Sequence, residues 1–195
     1  KRFHFLDATN TGNPPNNWIS LFGGSVWTQV DDGQFYLHLF DQSQPDLNWE
    51  NQEVREDFEA TLKFWLDHGV DGFRIDVAHG LIKEDLLVDH PAPQALSDAL
   101  RLDIEMDSKE RSEILATVPF FNRPGVHEIY RSWRKIFDSY DRSIVSVAEI
   151  WVHPPSEAAL YVRPDELNQV FNFDLLTTAF DANLLYESIE SAFSI

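Results

Sequence analysis

A chain of 195 residues, 43% of them hydrophobic, is globular in composition and long enough to bury a core. Its 33 acidic residues against 15 basic ones give a formal charge of −18, which repels phosphate backbones and anionic head groups and excludes nucleic acid and membrane surfaces as expected partners. Cysteine is absent, so there is no disulfide framework, thiolate metal site or cysteine nucleophile, and the composition fits a reducing cytoplasm.

The opening Lys1-Arg2-Phe3-His4-Phe5 lacks an initiator Met and a signal-peptide pattern, and the chain reads as an internal piece of something longer. No run approaches the roughly 18 apolar residues of a membrane span. Residues 1–35 are rich in Asn, Gly, Pro and aromatics without helical period, which predicts an irregular, loop-rich subdomain. From residue 49 the character changes. Val54, Phe58, Leu62 and Trp65 recur at helical spacing and Gly69 follows as a stop, so 51–68 is an amphipathic helix. Val70 to Ala78 is too compact for a helix and reads as a buried strand.

Residues 80–125 form a long, proline-containing connection with one short helix, Gln94 to Arg101, and a stretch of that length is usually functional. A second amphipathic helix is marked by Val126, Ile129, Tyr130, Trp133, Ile136, Phe137 and Tyr140, and the strand Ser143 to Ile150 follows it. A helix near Ser156 to Tyr161, a strand around Gln169 to Phe173 and a helix from about Asp181 complete the chain. This alternation of helix and strand predicts an α/β fold with parallel strands and crossover helices. Only three strands of this type can be counted, fewer than the eight that close a barrel.

The first of these strands carries charge where a core strand should not. Side chains alternate along a strand, so Gly72, Arg74 and Asp76 share one face and Phe73, Ile75 and Val77 the other. A guanidinium beside a carboxylate on the same face orients it, as a nucleophile requires; a buried structural ion pair is the alternative. Glu149 ends the second strand after small or apolar residues, a poorly solvated position suited to a proton donor. Two carboxyl groups in contrasting surroundings, at the same end of neighbouring strands, form the pattern of an acid and a nucleophile acting on one bond.

Asp71-Gly72-Phe73-Arg74-Ile75-Asp76-Val77-Ala78-His79 closely resembles the fourth-strand motif of the alpha-amylase family, glycoside hydrolase family thirteen, and Val147-Ala148-Glu149-Ile150-Trp151 resembles its fifth-strand motif. Gln44-Pro45-Asp46-Leu47-Asn48 is similar to the short motif near the end of the family's inserted B domain, in the form found in oligo-1,6-glucosidases. Asn16-Asn17-Trp18 through Phe22-Gly23-Gly24, Tyr36 to Phe40, and Gly125-Val126-His127-Glu128-Ile129 resemble bacterial alpha-glucosidases. The resemblance covers nearly the whole chain.

It implies a partial (β/α)8 TIM barrel, about strands 4 to 6 with their helices, over residues 49–195, preceded by the C-terminal part of the inserted B domain over 1–48. It also implies Asp76 as nucleophile, Glu149 as acid/base and Arg74 as support for the nucleophile, in a retaining hydrolase that releases terminal glucose from short oligosaccharides or disaccharides. The family's third carboxylate is expected beyond Ile195. His79-Gly80 stands where many alpha-amylases have Lys-His, which leads away from an endo-amylase; His79 is a substrate contact or a packing residue. Asn48 stands where calcium-dependent amylases often have Asp, so no calcium site is expected, nor any other metal or cofactor. Trp151 is a stacking wall for sugar or a packing residue. Two alternatives stand beside hydrolysis: a glucosyl-transferring isomerase of sucrose or trehalose type, and a non-catalytic relative such as a transporter heavy chain.

Overall fold

The computed structural model of the chain describes every residue except 102, 103, 153 and 195. There are two compact units, Lys1–Asp57 with Leu81–Arg123, and Phe58–Gly80 with Pro124–Ile195. The division falls inside α1 (Gln52–Asp67), and the long connection after the first buried strand belongs with the N-terminal residues.

In the first unit, the stretch expected to be irregular contains a small antiparallel sheet. Its strands are β1 (Phe5–Leu6), β2 (Trp27–Gln29) and β3 (Phe35–Leu37), in the order β1-β3-β2. Gly33, at φ +87°, turns β2 into β3, and the Val30 amide donates to the Gln34 carbonyl at 2.9 Å across the turn. Trp27 and Leu37 of these strands are buried, as are Trp18, Val26 and Leu39 near them in sequence.

Asn16-Asn17-Trp18 explains why the connection joins this unit. Asn16 Nδ2 donates to the Leu86 carbonyl (2.9 Å), Asn17 Nδ2 to that of His90 (2.9 Å) and Trp18 Nε1 to that of Val88 (3.1 Å). The side chains thus satisfy backbone acceptors that a loop cannot satisfy itself. Two helices lie in the connection, α2 (Pro93–Ala99) and α3 (Ser108–Leu115). Asp46 of the Gln44–Asn48 motif pairs with Lys83, whose side chain is only 2% exposed, so the aspartate there meets a buried cation that would be costly if left alone.

The second unit holds the parallel sheet, β4 (Gly72–Ile75), β5 (Val145–Ala148) and β6 (Gln169–Val170), in that order. Its helices are the later part of α1, α4 (Val126–Phe137), α5 (Pro155–Ala159) with a 3-10 turn over Leu160–Val162, α6 (Phe173–Thr177) and α7 (Ala182–Phe193). In α1 the buried stripe runs Val54, Leu62, Leu66 with Phe58 half-buried, and Trp65, expected on that face, is 49% exposed. Gly69, at φ +91°, ends α1 as expected: its amide returns to the Leu66 carbonyl (3.0 Å) and that of Val70 to Trp65 (3.1 Å).

The buried face of α4 is Val126, Ile129, Tyr130, Trp133, Ile136 and Phe137, each contributing about 1.5–3 kcal/mol on burial. Phe137 stacks on Phe73 of β4 at 5.9 Å, and Trp133 on Phe58 of α1 at 6.3 Å. Arg142 locks the start of β4, donating to Asp71 (3.0 Å) and to the Val70 carbonyl (3.0 Å). Asn168 ties β6 to β5, its side chain accepting from the Ser146 amide at 2.9 Å.

Candidate active site

The parallel ladder brings the charged residues together. Gly72 pairs with Val145, Arg74 with Val147 and Ile75 with Ala148. The Glu149 amide continues the ladder to the Ile75 carbonyl at 2.9 Å, which sets Glu149 opposite Asp76. Arg74, Asp76 and Glu149 therefore share one face and one end of adjacent strands. Gly72 opens the row because a Cβ there would strike the Val145 backbone carbonyl.

Arg74 binds both carboxylates. Its Nη2 lies 2.9 Å from Asp76 Oδ1 and also donates to Glu149 Oε2, while the guanidinium sits over the Phe171 ring at 6.0 Å. The carboxyl groups differ in exposure: the Asp76 side chain is 68% exposed and that of Glu149 19%. The first is open to solvent and the second is largely withdrawn from it.

The strand expected over 70–78 ends at Ile75, and the cause is Val77. It is a β-branched residue at φ +43°, a conformation costing about 1–3 kcal/mol. In a regular ladder the Val77 amide would meet the Glu149 carbonyl; instead the Ala78 amide does so, at 2.9 Å. One extra residue is thus accommodated directly after Asp76, a bulge of the kind that re-aims a side chain. Sequence reasoning missed it, since valine favours strands.

His79 lies apart from the exposed face. It is 1% exposed, and burial pushes its pKa down to about 3, opposed by a hydrogen bond with the Glu149 backbone, so the ring is neutral. Trp151 stacks on Phe173 at 3.6 Å with planes 14° apart, so one ring face is taken by a protein neighbour. Neither Phe171 nor Phe173 stood out in the sequence as part of this surface. Among the described residues no three His, Asp or Glu side chains are grouped to hold a metal ion, and no helix is long and apolar enough to cross a membrane.

Residues 1–191 match the family model for the alpha-amylase catalytic domain. The chain is 38% identical to an alpha-glucosidase of Candida albicans over 180 residues, covering 90% of this chain and 29% of that protein. It is 40% identical to an oligo-1,6-glucosidase of Parageobacillus thermoglucosidasius over 168 residues, covering 84% of this chain and 27% of that protein. Among solved structures, an alpha-glucosyl transfer enzyme is 30% identical with a TM-score of 0.79, over 98% of this chain and 36% of that one. The chain thus spans under a third of the length of these curated relatives.

Proposed function

The chain belongs to the alpha-amylase family of glycoside hydrolases, whose catalytic domain is a TIM barrel, and from that premise we propose that it supplies the nucleophile and acid/base of a retaining alpha-glucosidase. The observation that carries the proposal is the ladder that sets Glu149 beside Asp76 with Arg74 bonded to both. In the full-length protein Asp76 attacks the anomeric carbon of a terminal alpha-glucosyl unit as Glu149 protonates the departing oxygen. Glu149 then takes a proton from water, which displaces Asp76 and releases glucose with its configuration kept. Arg74 holds both carboxylates in place. No metal or cofactor enters this chemistry, and a cytoplasmic location belongs to the same proposal.

The substrate proposed is a short oligosaccharide or disaccharide, by likeness to the alpha-glucosidase and oligo-1,6-glucosidase. The third carboxylate is assigned to no residue of this chain, and residues 1–48 are assigned to the inserted B domain. Residues 1–195 expressed alone should then hydrolyse no aryl alpha-glucoside, since interactions made in the transition state are missing. NMR of the first sugar released by the full-length protein tests the mechanism: alpha-glucose is expected, and beta-glucose would overturn retention. A second reading, glucosyl transfer, is favoured by the likeness to the alpha-glucosyl transfer enzyme. Products from maltose, isomaltose, sucrose and trehalose separate the two, free glucose for hydrolysis and rearranged disaccharides for transfer.

A further inference from the structure

Asp76 is followed by a turn that its own residues do not favour, and a helix reaches over to hold that turn. The Tyr130 side chain on α4 is fully buried, and its hydroxyl donates to the carbonyl of Ala78. Ala78 is itself buried, and its amide donates to the Glu149 carbonyl at 2.9 Å. The Gly80 amide closes on the Val77 carbonyl at 2.9 Å. Val77 is therefore followed by a residue held at both its amide and its carbonyl, and its own carbonyl is held by Gly80, which is what a β-branched residue needs to remain at φ +43°.

Of these restraints, only the Tyr130 bond comes from outside the strand ends and the turn. Tyr130 is well placed to act as a fixed donor. Its ring packs against Trp133 at 5.4 Å and Tyr161 at 6.0 Å. Burial pushes its pKa well above the usual tyrosine value, with the neighbouring Tyr161 and Glu166 adding to the effect, so the hydroxyl keeps its proton.

We infer that Tyr130 is a positioning residue for the nucleophile: by holding the Ala78 carbonyl it keeps Val77 in the left-handed turn, and that turn aims Asp76. The inference rests on Asp76 being the nucleophile. An attacking carboxylate misplaced by about 1 Å loses on the order of 100-fold in rate even when the change lies away from the chemistry.

The test is Tyr130→Phe in the full-length protein, which removes the hydroxyl and keeps the ring. Rates are taken per active site, counted as the folded fraction from near-UV circular dichroism and the thermal melt, so that only folded enzyme is scored. The expected result is a fall of about 10- to 100-fold in kcat with KM within about twofold of the wild type. A packing role alone would lower the melting temperature and the number of active sites while leaving kcat per site unchanged. A second variant probes the turn directly. Glycine takes the left-handed conformation without strain, so in a Val77→Gly background the same hydroxyl loss should cost at least about fivefold less. A Tyr130→Phe enzyme with kcat per site within about twofold of wild type would overturn the inference while leaving the nucleophile assignment intact. Wild-type activity in Asp76→Ala would overturn both.

Discussion

The second unit contains two clusters of charge that treat water in opposite ways. Arg74, Asp76 and Glu149 stand at the open ends of β4 and β5, with the Arg74 side chain 52% and Asp76 68% exposed. Glu166 is fully buried, and His127 (2.7 Å), Arg131 (3.1 Å) and Arg163 surround it with positive or donating groups. Ion pairs open to water contribute little to stability, typically under about 1 kcal/mol, and their partners are free to be exchanged for a substrate. A sealed carboxylate has no such freedom: the cations that neutralise it are committed to holding α4 and the 160s together. Under the proposed function the exposed cluster serves chemistry, and the buried one serves shape.

The contrast is broken most sharply at Asp76. In the full-length protein Asp76→Ala should lower kcat by more than about 10⁴-fold with the melting temperature nearly unchanged, and azide should restore turnover as an inverted glucosyl azide. Glu149→Gln should lose about 10²–10⁴-fold on a disaccharide yet still form the glucosyl-enzyme from an activated aryl glucoside and stall at its hydrolysis. Chromatography of the products beside a thermal melt checks both; loss of fold in step with activity would erase the distinction.

Glu166→Ala should reverse the pattern, lowering stability by about 3–5 kcal/mol because three donors lose their buried acceptor. Urea unfolding measures it, and a midpoint like the wild type's would show that the cluster contributes nothing to the fold.

Acid should act on the buried groups next. His79 falls to about 3 and His4 to about 4, both from burial, with Lys83 adding to the effect at His4. The unfolded chain takes up these protons at about pH 6.5 and the native one does not, so stability is full above that pH and declines as pH falls toward about 3. His79→Gln should flatten the upper part of that decline in melts taken between about pH 7 and 5, and an unchanged slope would remove His79 as its cause. The smallest effect belongs to the surface: Asp165→Ala, which removes a 3.1 Å pair with Arg131, should change stability by under about 1 kcal/mol in the same urea measurement.

Much of this is legible in the sequence. The alternation of β4 put Arg74 and Asp76 on one face, and the small, apolar run of β5 singled out Glu149. The glycine after α1 ended it where expected. What escaped notice had physical causes. Strands of two or three residues in the first sheet are too short to show a period of two. The α3 segment Ser108–Leu115 is dominated by charged and polar residues, so no apolar stripe marks it. In α1 the step from Leu62 goes four residues on to Leu66 rather than three to Trp65, and helical spacing allows either. Tyr130 was legible as an apolar position of α4, but the partner of its hydroxyl lies 52 residues away in sequence. The kink at Val77 runs against its residue's own preference, which is how a functional site tends to depart from local rules.

One helix carries a consequence of another kind. α7 is capped by Asp181, whose side chain accepts from the amides of Asn183 (2.9 Å) and Leu184 (3.2 Å), yet no residue of the helix is buried. Leu184, Tyr186, Ile189 and Phe193 all face outward. A helix of 12 residues with none of them buried is marginal in water. Its amide hydrogens should exchange with deuterium far faster than those of α4, and should slow only when something settles over that apolar face, so α7 serves as a built-in gauge of assembly.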